Sequence, residues 1–223
     1  MTSTGAVART IRTSLHGRYL VVAPTGSPVD RAPLLVGFHG YAEDAGLHMT
    51  RLQAVADAER WLIVSVEALH HFYRGRSQDV VASWMTRQDR ELAIADNVAY
   101  VSAVLREAAG EPRDDRAVVF AGFSQGVAMA FRAATLGPWP ARGVVALGGD
   151  VPPELSDEAL GKIPAVLLGR GIADQWHAAD TFNADTARLA RAGVNVTQCL
   201  FDGAHEWTPA FTDAAREFLS GLP

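Results

Sequence analysis

Ser124 stands at the centre of Gly122-Phe123-Ser124-Gln125-Gly126, a G-x-S-x-G pentapeptide. The apolar run before it, Val118-Val119-Phe120-Ala121, is rich in β-branched and aromatic residues and reads as a buried strand. The Ala-rich stretch after it is helical in character and stops at Gly137-Pro138. Strand, tight turn and helix in that order form the context of a nucleophile elbow. The glycines let the turn pack closely while Ser124 takes a strained backbone position. The N-terminus of the following helix favours negative charge developing at the elbow. The bland alternative is a plain Gly-rich turn.

A serine hydroxyl is a poor nucleophile without an adjacent base. Of the seven histidines, His16 falls in an edge turn, His48 within a helix, and His70 and His71 in an aromatic loop. His177 lies near a helix start and reads as a solvated surface residue; His39 reads as a scaffold residue. His205 alone is in the turn after the last strand, where a ring can reach over the elbow. The third member must accept a proton from Nδ1 and fix the tautomer. Asp174 gives the chain order Ser124, Asp174, His205, the order of α/β-hydrolases. Asp150, after the preceding strand, is the competitor, and Asp202 suits an Asp-Gly turn. The backbone N–H of Gln125 is a natural oxyanion donor, and the N–H of Tyr41, beside Gly40, is its expected partner.

These residues need elements to hold them. Buried strands are expected at 34–38, 61–66, 118–121, 144–147, 165–168 and 194–201, alternating with helices at about 45–60, 87–109, 125–136 and three later stretches, the first a short helix capped by Ser156. Thr86 is the expected cap of the long second helix, with Leu92, Ala95, Val98, Ser102 and Leu105 on its inner face. Thr208 and Pro209 open the last helix, with Phe211, Ala215 and Phe218 facing inward. Ile11–Ser14 and Tyr19–Ala23 read as an antiparallel edge hairpin around His16-Gly17, and residues 1–10 as a loosely held end. Alternating strands and helices mean a mostly parallel sheet covered on both faces. Functional loops in such sheets follow the C-terminal ends of strands. That selects 39–46, 122–126, 169–177 and 202–207. No linker or repeat divides the chain, so residues 1–223 are expected to form one α/β-hydrolase domain.

Composition narrows the partners. A hydrophobic share of 48% allows a substantial core, and a net charge of −5 with no basic, aromatic-interleaved stretch argues against nucleic acid. One cysteine, Cys199, allows no internal disulfide and reads as a buried small hydrophobe. No stretch is apolar enough for a signal peptide or a transmembrane segment, so a cytoplasmic location is expected. A metal-dependent hydrolase would need convergent ligands, and His70-His71 lacks a carboxylate at suitable spacing, so no metal or cofactor is expected. A homodimer is compatible with this composition and not derivable from it. A non-catalytic ligand-binding module on the same scaffold is the reading from a different class.

Phe38-His39-Gly40-Tyr41, the Gly-Phe-Ser-Gln-Gly elbow, Gly171-Ile172-Ala173-Asp174 and Gly203-Ala204-His205-Glu206 resemble the phospholipase/carboxylesterase family of α/β-hydrolases over residues 15–221. The resemblance implies a serine esterase without a large cap domain, acting on small-molecule esters with short to medium acyl chains. Acyl-protein thioesterase and lysophospholipase activities are the alternatives. It matches Ser124, Asp174 and His205 to the family's triad, and Tyr41 and Gln125 to its oxyanion donors. It also brings the aromatic stretch before the long helix near the site, making Phe72, Tyr73, Trp84 and Met85 candidates for a substrate wall; ordinary packing is the alternative. Arg170 could orient an anionic substrate group or form a surface salt bridge. Two segments depart from the family pattern, Trp84-Met85-Thr86 where Trp-Phe-Asp is common, and Gln175-Trp176-His177-Ala178 where an apolar pair precedes proline.

Overall fold

Apolar runs with no polar face to show to water become the middle strands of a sheet covered on both sides. The computed structural model describes residues 5–57 and 59–222. Its elements are β1 (Tyr19–Val22), β2 (Leu34–Phe38), α1 (Ala45–Val55), β3 (Leu62–Val66), β4 (His70–Tyr73), β5 (Val80–Ser83), α2 (Arg90–Ala109) and β6 (Val118–Phe123). They continue as α3 (Gln125–Leu136), β7 (Ala141–Leu147), α4 (Asp157–Leu160), β8 (Ala165–Gly171), α5 (Ala179–Arg191), β9 (Asn195–Phe201) and α6 (Pro209–Gly221). The main sheet runs β1-β3-β2-β6-β7-β8-β9, parallel throughout except for the β1–β3 edge. Every residue of β2, β3 and β6 is buried. One core layer gathers Phe38, Phe120, Phe131 and Trp139, the other Leu35, Val119, Leu167 and Phe211. This is the mostly parallel α/β-hydrolase architecture, and no described helix is long and apolar enough to cross a membrane.

Several local expectations are corrected. The antiparallel edge exists, but Tyr19–Val22 pairs with β3 rather than with Ile11–Ser14. A ladder along a fully buried strand holds that edge, whereas residues 11–14 are exposed and irregular. Residues 1–4 of the expected loose end lie outside the described residues, and 5–10 are exposed without regular structure. The aromatic stretch before α2 forms a small hairpin of its own, β4 with β5, closed by a turn with Gly75 at φ +54°.

The first helix stops at Val55, and α2 begins at Arg90 after Asp89 in a left-handed conformation, not at Thr86. The inner face of α2 is Asn97, Val101, Ser102, Val104 and Leu105, and Leu92 and Ala95 are exposed. A polar side chain turned inward explains the shift in phase. Asn97 Nδ2–H donates to the Trp84 carbonyl at 2.7 Å, a bond that apolar periodicity does not register. In α6 the buried positions are Phe211, Ala215 and Leu219, with Phe218 half-buried beside them.

Candidate active site

Ser124 follows the last residue of β6 at φ 52°, ψ −119°, a region non-glycine residues seldom occupy. Close packing holds it there. A Cβ on Gly122 would lie 2.4 Å from the Gly126 carbonyl oxygen, and one on Gly126 would lie 2.0 Å from that of Phe38. The Ser124 N–H donates to the Leu147 carbonyl of β7 at 2.8 Å. The elbow is thus wedged between β2 and β7, and its serine is lifted to the C-terminal edge of the sheet.

His205 and Asp174 arrive from the neighbouring strands β9 and β8. His205 Nε2 accepts from Ser124 Oγ–H at 2.8 Å, and Nδ1–H donates to Asp174 Oδ2 at 2.8 Å. The other carboxylate oxygen, Oδ1, accepts the N–H groups of Trp176 at 2.8 Å and His177 at 3.0 Å. Burial alone would raise the Asp174 carboxyl, but the hydrogen bonds from His177, His205 and Trp176 outweigh it and hold the group below its usual range. Asp150 is elsewhere, an exposed side chain with Oδ1 3.4 Å from His177 Nε2. Asp202 is exposed in its turn. Beneath the imidazole, Gly148 sits at φ +66°, where a Cβ would come within 3.1 Å of His205 Cε1.

Arg170 follows neither expectation. It is buried, and its guanidinium donates to the carbonyls of His177 at 2.7 Å, Asp174 at 3.0 Å and Ile172 at 3.4 Å. It therefore ties both ends of the loop that presents Asp174. His177 is not solvated either; it is 3% exposed, packed edge-on against Phe182. His71 does have a carboxylate partner, Glu67 Oε1 at 3.4 Å, four residues back across the start of the hairpin.

The loop after β2 is pinned from several sides. Glu43 accepts the Gly40 N–H at 2.8 Å and forms a two-pronged pair with Arg51 at 2.7 Å. The Arg51 guanidinium covers the Phe123 ring at 4.5 Å. Gly40 N–H is thereby occupied, whereas the Tyr41 and Gln125 N–H groups meet no acceptor among the described residues. His39 Nδ1–H donates to the Gly40 carbonyl at 2.7 Å, and Nε2 accepts from Ala68 N–H at 3.1 Å. Both ring nitrogens are occupied, and burial lowers the ring's proton affinity. The Gln125 side chain reaches the other way, taking Trp84 N–H at 3.0 Å and giving Nε2–H to the Met85 carbonyl at 3.0 Å.

A cleft of about 330 Å³ opens beside Ser124 and His205, bordered by Trp84, Met85, Arg132, Asp150 and Trp176. Trp84 is fully buried, and its indole N–H donates to the His39 carbonyl at 2.9 Å, so it braces the loop after β2 as well as bordering the cleft. Phe72 and Tyr73 lie outside that border. Phe72 stacks on Tyr41 at 5.4 Å, and Tyr73 is exposed. Arg132 is buried and paired with Glu154 at 2.7 Å, which also holds Arg90 at 2.9 Å, so one wall is polar. The sequence reading gives no role to Gly148 or Gly149, and Trp176 appears in it only within a segment that departs from the family pattern. The Gly148-Gly149 pair directly after a central strand was the available signal, since a Cβ on Gly149 would lie 2.3 Å from the Ser124 carbonyl oxygen.

A serine-containing elbow at the C-terminal edge of a mostly parallel sheet, with a histidine after the last strand, defines the α/β-hydrolase class. The sequence profile of the Phospholipase/Carboxylesterase family matches residues 20–222, and the chain belongs to that family, whose members are carboxylic ester hydrolases. Solved structures share the fold. The esterase PE8 is 21% identical with TM-score 0.73, covering 95% of this chain and 100% of its own. A carboxylesterase from Mesorhizobium loti is 21% identical with TM-score 0.72, covering 95% and 98%. The acyl-protein thioesterase 2 of Zea mays is 21% identical with TM-score 0.70, covering 92% and 98%. A search of curated proteins finds no match.

Proposed function

We propose that this protein cleaves small-molecule carboxylic esters through an acyl-enzyme, with Ser124 as nucleophile, His205 as general base and Asp174 as the residue that orients it. The observation that carries this is the unbroken chain from Asp174 Oδ2 through the imidazole to Ser124 Oγ, 2.8 Å at each link. Ser124 Oγ attacks the ester carbonyl while its proton passes to His205 Nε2, and the carbonyl oxygen takes the negative charge. The Tyr41 and Gln125 N–H groups, free of other acceptors among the described residues, are the donors for that oxyanion. The tetrahedral intermediate collapses by breaking the bond to the alcohol oxygen, which receives the Nε2 proton. Water then repeats the cycle with His205 as base, releasing the acid and freeing Ser124. Asp174 stays ionised throughout, its charge held by three hydrogen bonds.

The open cleft, with Met85 and the edge of Trp84 on one side and paired Arg132 beyond, suits short to medium acyl chains. Phe72, stacked on Tyr41, belongs to the wall only through the loop it steadies. The reaction needs no metal or cofactor. A cytoplasmic location suits the single free cysteine, Cys199. The test is hydrolysis of p-nitrophenyl esters from acetate to dodecanoate beside an acyl thioester, with Ser124→Ala as control. Rates should peak at short to medium chains and vanish in the variant. Equal rates in the variant would end the reading, and a preference for the thioester would move the substrate class to the acyl-protein thioesterases.

A further inference from the structure

Outside the catalytic chain, Asp150, His177 and Asp185 each bring one donor atom to within 4.8 Å of the others. They come from separate elements: the loop after β7, the loop that carries Asp174, and the middle of α5. The His177 ring is 3% exposed, and neither of its nitrogens has a hydrogen-bond partner. Its nearest polar neighbour is Asp150 Oδ1, 3.4 Å from Nε2, too long for a good hydrogen bond. Asp185 is 9% exposed and accepts the Val151 N–H through Oδ2 at 2.8 Å, which fixes its carboxylate in place. A buried imidazole with no partner, set against two carboxylates, is an arrangement that buried polar groups ordinarily avoid.

We propose that Asp150, His177 and Asp185 form a binding site for a divalent transition-metal ion of the zinc type at the border of the cleft. One imidazole and two carboxylates are a donor set such an ion accepts. With metal–ligand bonds of about 2.0–2.2 Å, donors on one ion lie roughly 3–4 Å apart. His177 is held by packing and Asp185 by the Val151 hydrogen bond, and Asp150, the third donor, is exposed. The ion would give His177 the partner it lacks and neutralise the two acids. His177 N–H also holds Asp174, so occupancy of the site is coupled to the loop that presents the acid.

The test is calorimetric titration of Zn²⁺ into metal-stripped full-length protein at pH 7.5, repeated with Asp185→Asn and with Asp150→Asn. Asp185→Asn keeps an oxygen for the Val151 N–H, and Asp150 is on the surface, so at least one variant retains the fold. One site of micromolar Kd is expected in the wild type, weakened at least tenfold by each substitution. Co²⁺ should produce visible absorption bands in the wild type that disappear in Asp185→Asn. Absence of binding at pH 7.5 would overturn the proposal. Equal binding by wild type and both variants would overturn it too, assigning the ion to other surface groups.

Discussion

The elbow and the acid loop meet on one imidazole, yet they are held by different physics. The elbow is set by exclusion: glycines at 122, 126 and 149 leave no room for a side chain, and the backbone has nowhere else to go. The acid loop is set by attraction, with Arg170 drawing in three carbonyls and Asp174 drawing in two N–H groups. A steric constraint is written in adjacent residues and tolerates almost no change. A constraint made of hydrogen bonds is spread over eight residues and can be loosened by degrees.

The largest effects should fall where the two regions join. Ser124→Ala and His205→Ala are each expected to lower kcat by on the order of 10⁶, and the double variant by no more, because the two act as a unit. Additive losses, measured with one ester at saturation, would break the picture of a single proton path. Next comes the acid. Asp174→Asn should cost on the order of 10⁴ in kcat by imposing the wrong tautomer. Asp150→Asn should cost roughly tenfold or less on the same scale. The reverse pattern would hand the orienting role to Asp150.

The contrast itself is sharpened by one substitution on each side. Gly126→Ala forces β2 to move and should lower stability by about 1–3 kcal/mol or more, with kcat falling alongside. Arg170→Met leaves the acid loop closed by fewer bonds. It should lower kcat roughly a hundredfold or less while the elbow geometry persists. Thermal melts and kcat for both variants check this, and an Arg170→Met enzyme with unchanged kcat would show that the loop does not need its tie.

The smallest expected effect is on pH-dependent stability. The native Asp185 carboxyl lies above its unfolded value, near 6, so metal-free protein binds its proton more tightly when folded. Its contribution is therefore present at low pH and lost as pH rises from about 4 to about 6. Asp174 has the opposite sign, its native value being lowered; its contribution is present at neutral pH and lost as pH falls through that value. Asp185→Asn should flatten the stability profile between pH 4 and 6, as read by denaturant midpoints, and an unaltered profile would contradict the assignment.

The same contrast explains what could be read from the chain. The elbow, its strand and its helix are legible because steric need shows as Gly-x-Ser-x-Gly after an apolar run. The loop positions of Asp174 and His205 follow from strands counted in order, since functional loops leave the same edge. Arg170 and His177 depart from expectation because each turns inward, Arg170 onto the carbonyls of its own loop and His177 onto Phe182, and an arginine or histidine in a loop carries no local mark of that. Asn97 misled the phase of α2 for the same reason, and the hairpin of β4 and β5 lacks the alternation that marks a half-buried strand.

The most direct test of the central claim is labelling by a fluorophosphonate followed by peptide mapping. Reaction should add one phosphonyl group to Ser124, abolish ester hydrolysis in proportion, and slow sharply in His205→Ala. A label on another residue, or full activity retained in stoichiometrically labelled protein, would contradict Ser124 as the nucleophile.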